Sequence, residues 1–117
     1  MRHRVEGRKL GRVKNQRSAL VRSLLTSLIL HERITTTEAK AKTIKPKFER
    51  LVTIAKKGNL MAKQQLMKAL YNNQTVVKKM LLVIAPRYKD RVGGYARIIK
   101  NGTRAGDAAP VSIIELV

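Results

Sequence analysis

The stretch "RYKDRVGGYARIIKNGTRAGDAAPVSIIELV", residues 87–117, is where the hydrophobic period of the chain changes from that of a helix to that of a strand. Beyond Gly93 and Gly94, "YARIIK" (95–100) and "PVSIIELV" (110–117) are rich in β-branched residues. The intervening "NGTRAGDAA" is turn-forming but too long for a tight hairpin, so the two segments are expected to pair antiparallel around it. Alternation directs Ile98 toward the core with Ile114 and Leu116, and leaves Arg97 on the opposite face with Tyr95 and Ile99.

Upstream, the apolar residues recur at helical spacing. Leu20, Val21, Leu24, Leu25, Leu28 and Ile29 predict a helix over 16–30. The β-branched "RITTT" (33–37) interrupts that period and predicts a short strand. Thr36 or Thr37 can cap a second helix, with Glu38 favouring its positive end. Ile44, Phe48, Leu51, Val52 and Ala55 make one apolar face that runs through Pro46, so this helix should bend at Pro46 rather than stop. Gly58 is expected as a left-handed cap and Asn59 as the N-cap of a third helix over about 60–71, burying Ala62, Leu66, Ala69 and Leu70. Asn72 and Asn73 form a turn, and a fourth helix over about 74–84 presents Val77, Met80, Leu81 and Ile84 before Pro86 ends it. The result is an α/β chain of the α+β kind, in the order helix, strand, three helices, two strands.

A chain of 117 residues is expected to form one domain, burying about 65% of its unfolded surface. Residues 1–15 read as a basic arm and 16–117 as a single globular domain. Twenty-six lysines and arginines against seven acids leave a net charge of +19. A compact domain with that imbalance repels itself unless a polyanion neutralises it. The 44% apolar content is that of a folded protein, so a core carries the charge.

Composition also excludes much. The absence of cysteine removes disulfides, thiolate catalysis and zinc knuckles. The basic "MRHRVEGRKLGR" has no apolar segment behind it, and no stretch reaches the roughly 18 apolar residues of a membrane span, so neither export nor membrane insertion is expected. Glu6, Glu32, Glu38, Glu49, Asp90, Asp107 and Glu115 are scattered singly, without the pattern of a metal-dependent nuclease. His3 and His31 have no nearby metal-ligand partners, and Gly93–Gly94 lies in neither a dinucleotide fingerprint nor a Walker loop. No catalytic residue, metal site, cofactor or small-molecule substrate is expected.

What remains is binding to a polyanion. Its candidate ligands are Arg2, Arg4, Arg8, Lys9, Arg12, Lys14 and Arg17 in and beside the arm, Arg22 on the polar side of the first helix, and Arg87, Arg91, Arg97 and Lys100 around the glycine pair. Residues without Cβ let the main chain approach a phosphate while arginines supply forked donors on either side. Gly94, directly before the strand, is expected to tolerate substitution less well than Gly93. Tyr88 and Tyr95 read first as packing residues, with a hydroxyl that could reach phosphate as the alternative. Aromatic residues are scarce, so phosphate and shape contacts should outweigh base stacking. A flexible arm and separated basic patches fit folded RNA better than linear duplex DNA. A nucleoid-type general nucleic-acid-binding protein is the main rival reading, and a small RNA-processing enzyme the third.

The segments "MRH" with "GRKLGR", "LLTSLILHERITTTEAKAK", "LVTIAKKGNL", "IAPRYKDRVGGYARIIKNG" and "RAGDAAPVSIIELV" resemble, in that order and over essentially the whole chain, the bacterial large-ribosomal-subunit protein seventeen family. The resemblance implies a small three-stranded mixed sheet packed on helices. It implies a cytoplasmic ribosomal protein that binds large-subunit ribosomal RNA near the outer end of the peptide exit tunnel, beside other ribosomal proteins. It assigns RNA contacts to Arg2, His3, Arg8, Lys9 and Arg12 in the opening motif, and to Arg91, Gly93, Gly94, Tyr95, Arg97 and Arg104 in the closing ones. The stretches "TIKPKFER" and "ALYNNQTVVKK" are less typical of the family, so the resemblance does not extend to local helix geometry and neighbouring protein contacts there.

Overall fold

Helix α1 (Lys14–His31) buries Val21, Leu25, Leu28 and Ile29 along one stripe and stops where Glu32 turns left-handed, at φ 63°, and returns its N–H to the Leu28 carbonyl. The computed structural model describes residues 10, 11 and 13–117. Strand β1 (Arg33–Thr37) leads directly into α2 (Glu38–Lys57). Thr37 holds the N-cap position with extended backbone but makes no side-chain cap hydrogen bond, contrary to the expectation for Thr36 or Thr37. Glu38 in the first turn still complements the helix dipole, and it pairs with Lys42 at 2.7 Å.

Helix α2 is the hub. Its face of Ala41, Ile44, Phe48, Leu51, Val52 and Ala55 is buried on both sides of Pro46, which lies inside the helix as expected. It touches α1, the third helix, all three strands and the end of the fourth helix. Gly58 caps it at φ 66°, and the Asn59 side chain accepts from the Ala62 N–H to begin α3 (Leu60–Ala69). Ala62, Leu66 and Leu70 are buried as expected, whereas Ala69 is only partly buried. Tyr71 and Asn72 then both adopt positive φ, 55° and 57°, and Asn73 caps the fourth helix.

That helix departs from expectation at its far end. α4 (Gln74–Lys79) runs into a π-helical turn (Met80–Ile84) and then into α5 (Ala85–Arg87), so Pro86 lies within the helical path. A proline ordinarily breaks a helix because it lacks an N–H and its ring collides with the carbonyl four residues earlier. Here the ladder has already widened, the Ala85 N–H reaching back to the Met80 carbonyl. That places Pro86 in the first turn of a new short segment, where its missing donor costs little.

Strands β2 (Ala96–Thr103) and β3 (Pro110–Leu116) pair antiparallel as expected, with Ile98 opposite Ile114. β1 pairs with the other edge of β3, also antiparallel, placing Ile34 opposite Ile114. The order is β1-β3-β2, so the sheet is antiparallel throughout and not mixed. β1 and β2 run in the same direction but never meet, because the most apolar strand lies between them. Ser112 and Ile114 are fully buried toward the helices, with Ile34, Ile98 and Leu116 packed against the core. Arg97 and Ile99 lie on the outer face as expected.

Candidate nucleic-acid interface

The segment joining α5 to β2 is built by two charged residues of α2. The Lys56 Nζ donates to the Arg91 carbonyl at 2.6 Å and to the Tyr95 hydroxyl at 3.0 Å, and Tyr95 in turn donates to the Arg91 carbonyl at 3.1 Å. The Glu49 Oε2 accepts the Tyr95 N–H at 2.9 Å. Between these anchors Gly93 and Gly94 adopt φ of 82° and 62°. Both therefore occupy the left-handed region that side chains rarely adopt. The expected contrast between them finds no support in the backbone: a Cβ on Gly94 would meet only the Arg91 guanidinium at 3.9 Å, and one on Gly93 would meet nothing.

Tyr95 does not lie on the outer face with Arg97 and Ile99, where alternation placed it. It is 3% exposed, and its ring lies against Tyr88 with centroids 5.2 Å apart. Hydrogen bonding from the Gly93 backbone and then from the Lys56 ammonium holds its phenol below the usual value. Its position just before β2 lets it turn inward where strict alternation would send it outward. Tyr88 is buried too, donates to the Val117 carbonyl at 2.8 Å, and has its phenol pushed up chiefly by that burial. Both tyrosines are thus packing residues that hold the basic segment in place.

The arginines nominated from the sequence lie on the surface, and three of them are already partnered. Arg87 forms an ion pair with Glu32, which also takes Lys79 at 3.2 Å. Arg87 foremost holds the Glu32 carboxyl below its ordinary range, against partial desolvation, and Glu32 in return raises Arg87. The Arg97 Nε donates to Glu115 at 2.6 Å, and Arg33 approaches the same carboxylate at 3.6 Å from the other side. Arg104 grips Asp107 with two nitrogens, at 2.5 and 3.1 Å, and the Ala109 N–H adds a third bond at 3.2 Å. This fork lowers the Asp107 carboxyl to about 2. Arg91 donates instead to the Gly94 carbonyl at 3.2 Å.

Five of the six described carboxylates are therefore engaged inside the fold, since Glu38 and Glu49 also pair, with Lys42 and Lys45, and only the exposed Asp90 makes no ion pair among the described residues. Lys14, Arg17, Arg22, Arg91 and Lys100 have no carboxylate within salt-bridge distance among the described residues. Lys14 and Arg17 lie in the first turn of α1, which begins two residues before the expected start of the domain, and Lys100 is exposed on β2. Arg2, His3, Arg4, Arg8, Lys9 and Arg12 lie outside the described residues. Among the described residues no group of three or more histidines or carboxylates could hold a metal, and no helix is long and apolar enough to cross a membrane.

One feature was not read as functional from the sequence. The Arg22 guanidinium lies over the ring of Tyr71, 3.9 Å from its centroid, and Tyr71 is 57% exposed. Scarcity of aromatics in the sequence was the available signal, but it could not show that the other three would be buried.

The family model described as Ribosomal protein L17 matches residues 20–117. Three curated relatives carry the name large ribosomal subunit protein bL17. That of Pelobacter propionicus is 52% identical over 117 residues, covering all of this chain and 91% of its own length. That of Trichlorobacter lovleyi is 53% identical, covering all of this chain and 94% of its own. That of Thermodesulfovibrio yellowstonii is 53% identical, covering all of this chain and 87% of its own.

Proposed function

The chain belongs to the ribosomal protein L17 family, and from that premise we propose that it binds and stabilises large-subunit ribosomal RNA near the outer end of the peptide exit tunnel. It is a structural constituent of the large ribosomal subunit, cytoplasmic within the ribosome, and not an enzyme. The observation that carries the RNA reading is the asymmetry of its ion pairs: all but one of the described acids are taken up internally, which leaves many lysines and arginines to meet phosphate.

In this reading residues 1–15 act as an RNA-binding arm on a domain of residues 16–117. Lys14, Arg17 and Arg22 extend the basic surface along α1. Arg87, Arg91, Arg97, Lys100 and Arg104 form a second surface, shaped by the turn at Gly93 and Gly94 and backed by the Tyr88–Tyr95 packing. Arg87, Arg97 and Arg104 serve doubly, since a guanidinium held by one carboxylate keeps further N–H donors for phosphate. The tunnel address rests on family membership, as does the presence of neighbouring ribosomal proteins.

Salt-dependent cosedimentation tests the reading. The chain should stay with purified large subunits at fixed stoichiometry through a high-salt wash, and a density map of that subunit should place both basic surfaces against RNA. A chain that follows DNA and leaves the subunits would instead be a nucleoid-type protein.

A further inference from the structure

We propose that the depression between Arg22 of α1 and α3, closed by the Tyr71–Asn72 turn, seats one unstacked nucleotide of single-stranded RNA. This rests on the RNA-binding reading and adds to it a site where a base is gripped by its face. Phe48, Tyr88 and Tyr95 are all buried, so Tyr71 is the aromatic the fold leaves outside. Its exposure is imposed by the backbone: Tyr71 and Asn72 are consecutive left-handed residues, a conformation tolerable for asparagine and unfavourable for tyrosine. Strain of that kind persists only where surrounding structure enforces it.

The surroundings have the chemistry of a nucleotide site. Arg22 stacks on the ring at 3.9 Å, and an arginine–tyrosine stack is a platform that accepts any base by its π-face. Gln64 and Asn72 line the same depression and carry both donor and acceptor groups suited to a base edge. Lys63 and Lys68 supply charge for the flanking phosphates, and no carboxylate lines the depression. Its volume of about 580 Å³ is ample for a small ligand, with Leu60 and Met67 as apolar lining. The cationic lining suits an anion, while the stacked plane and the paired amides favour a nucleotide over an acidic peptide.

The chain contains no tryptophan, so Tyr71→Trp introduces a single fluorescent reporter in the full-length protein. Titration with a short single-stranded oligoadenylate should quench it, whereas inorganic polyphosphate should bind without quenching. Tyr71→Ala should weaken oligoadenylate binding about tenfold, with an unchanged salt slope and unchanged affinity for polyphosphate. Arg22→Gln should weaken binding of both and flatten the slope. Melting curves establish that each variant is folded, and retention of affinity by Tyr71→Trp separates stacking from disruption. If RNA binds while the introduced indole is silent and Tyr71→Ala is neutral, the seat is overturned and the RNA-binding reading stands. The seat is equally overturned if an acidic peptide, and not oligoadenylate, quenches the indole. If neither ribosomal RNA nor polyphosphate binds the wild-type chain, the broader reading falls with it.

Discussion

Glu115 on the central strand lies opposite Arg97 of β2 and Arg33 of β1, and its carboxylate draws a guanidinium from each side, Arg97 at 2.6 Å. One acid thereby ties the outer face of all three strands. Glu115→Gln should lower stability by about 1 kcal/mol, a modest figure because both arginines are largely exposed and water screens them. The same substitution removes a negative charge and releases two guanidinium groups, so RNA affinity should rise and its salt dependence steepen. Melting and salt-titrated binding on one preparation check the two opposite signs.

The glycine pair makes a second test. Gly93→Val and Gly94→Val should each cost on the order of 1–3 kcal/mol, since both residues hold positive φ. Melting temperatures of the two variants should fall together. A melting temperature that falls for Gly94→Val alone would overturn the equal cost that the two positive φ values imply.

Asp107 predicts a pH response. Its carboxyl titrates near 2 in the fold against an ordinary 3.8, so the folded state favours the charged form. The stabilisation is complete above the unfolded value and is lost as pH falls through about 2. Carboxyl chemical shifts should show Asp107 still ionised at about pH 3, and Arg104→Gln should return its midpoint toward 3.8.

Ser112 is fully buried on the core face of β3, and its hydroxyl has no hydrogen-bond partner among the described residues. Ser112→Ala should therefore raise stability, by about 1 kcal/mol, by removing an uncompensated polar atom. Denaturant unfolding measures it, with the midpoint expected to rise at constant slope.

Much of the fold was legible because single faces decide it. Ile44, Phe48, Leu51, Val52 and Ala55 mark the buried side of α2 so consistently that Pro46 could be assigned to the helix interior. Pro86 could not, because nothing in the apolar spacing of residues 80–84 announces the π turn that accommodates it. Strand order was equally hidden: alternation in β1, β2 and β3 sets faces but says nothing of which strand lies between the others. At the candidate interface the basic residues were plain in the sequence. Their partners were not, since Arg87–Glu32 and Arg97–Glu115 join distant positions. Tyr95 was ambiguous because it stands at the junction where turn becomes strand, and Tyr71 because only the left-handed turn directs it outward.

The order β1-β3-β2 also governs how the chain can acquire its fold. Arg33 meets its partner Glu115 only after the intervening helices have been made, and the two flanking strands are synthesised before the one that joins them. While the polypeptide emerges, β1 and β2 expose unpaired edges that only β3 can satisfy. Helices α1 to α3 can gather locally in the meantime, but closure of the sheet must await late residues and is the step that pairing over long sequence separation makes slow. A component of the ribosome with this topology completes itself only after the ribosome making it has read nearly all of the present sequence.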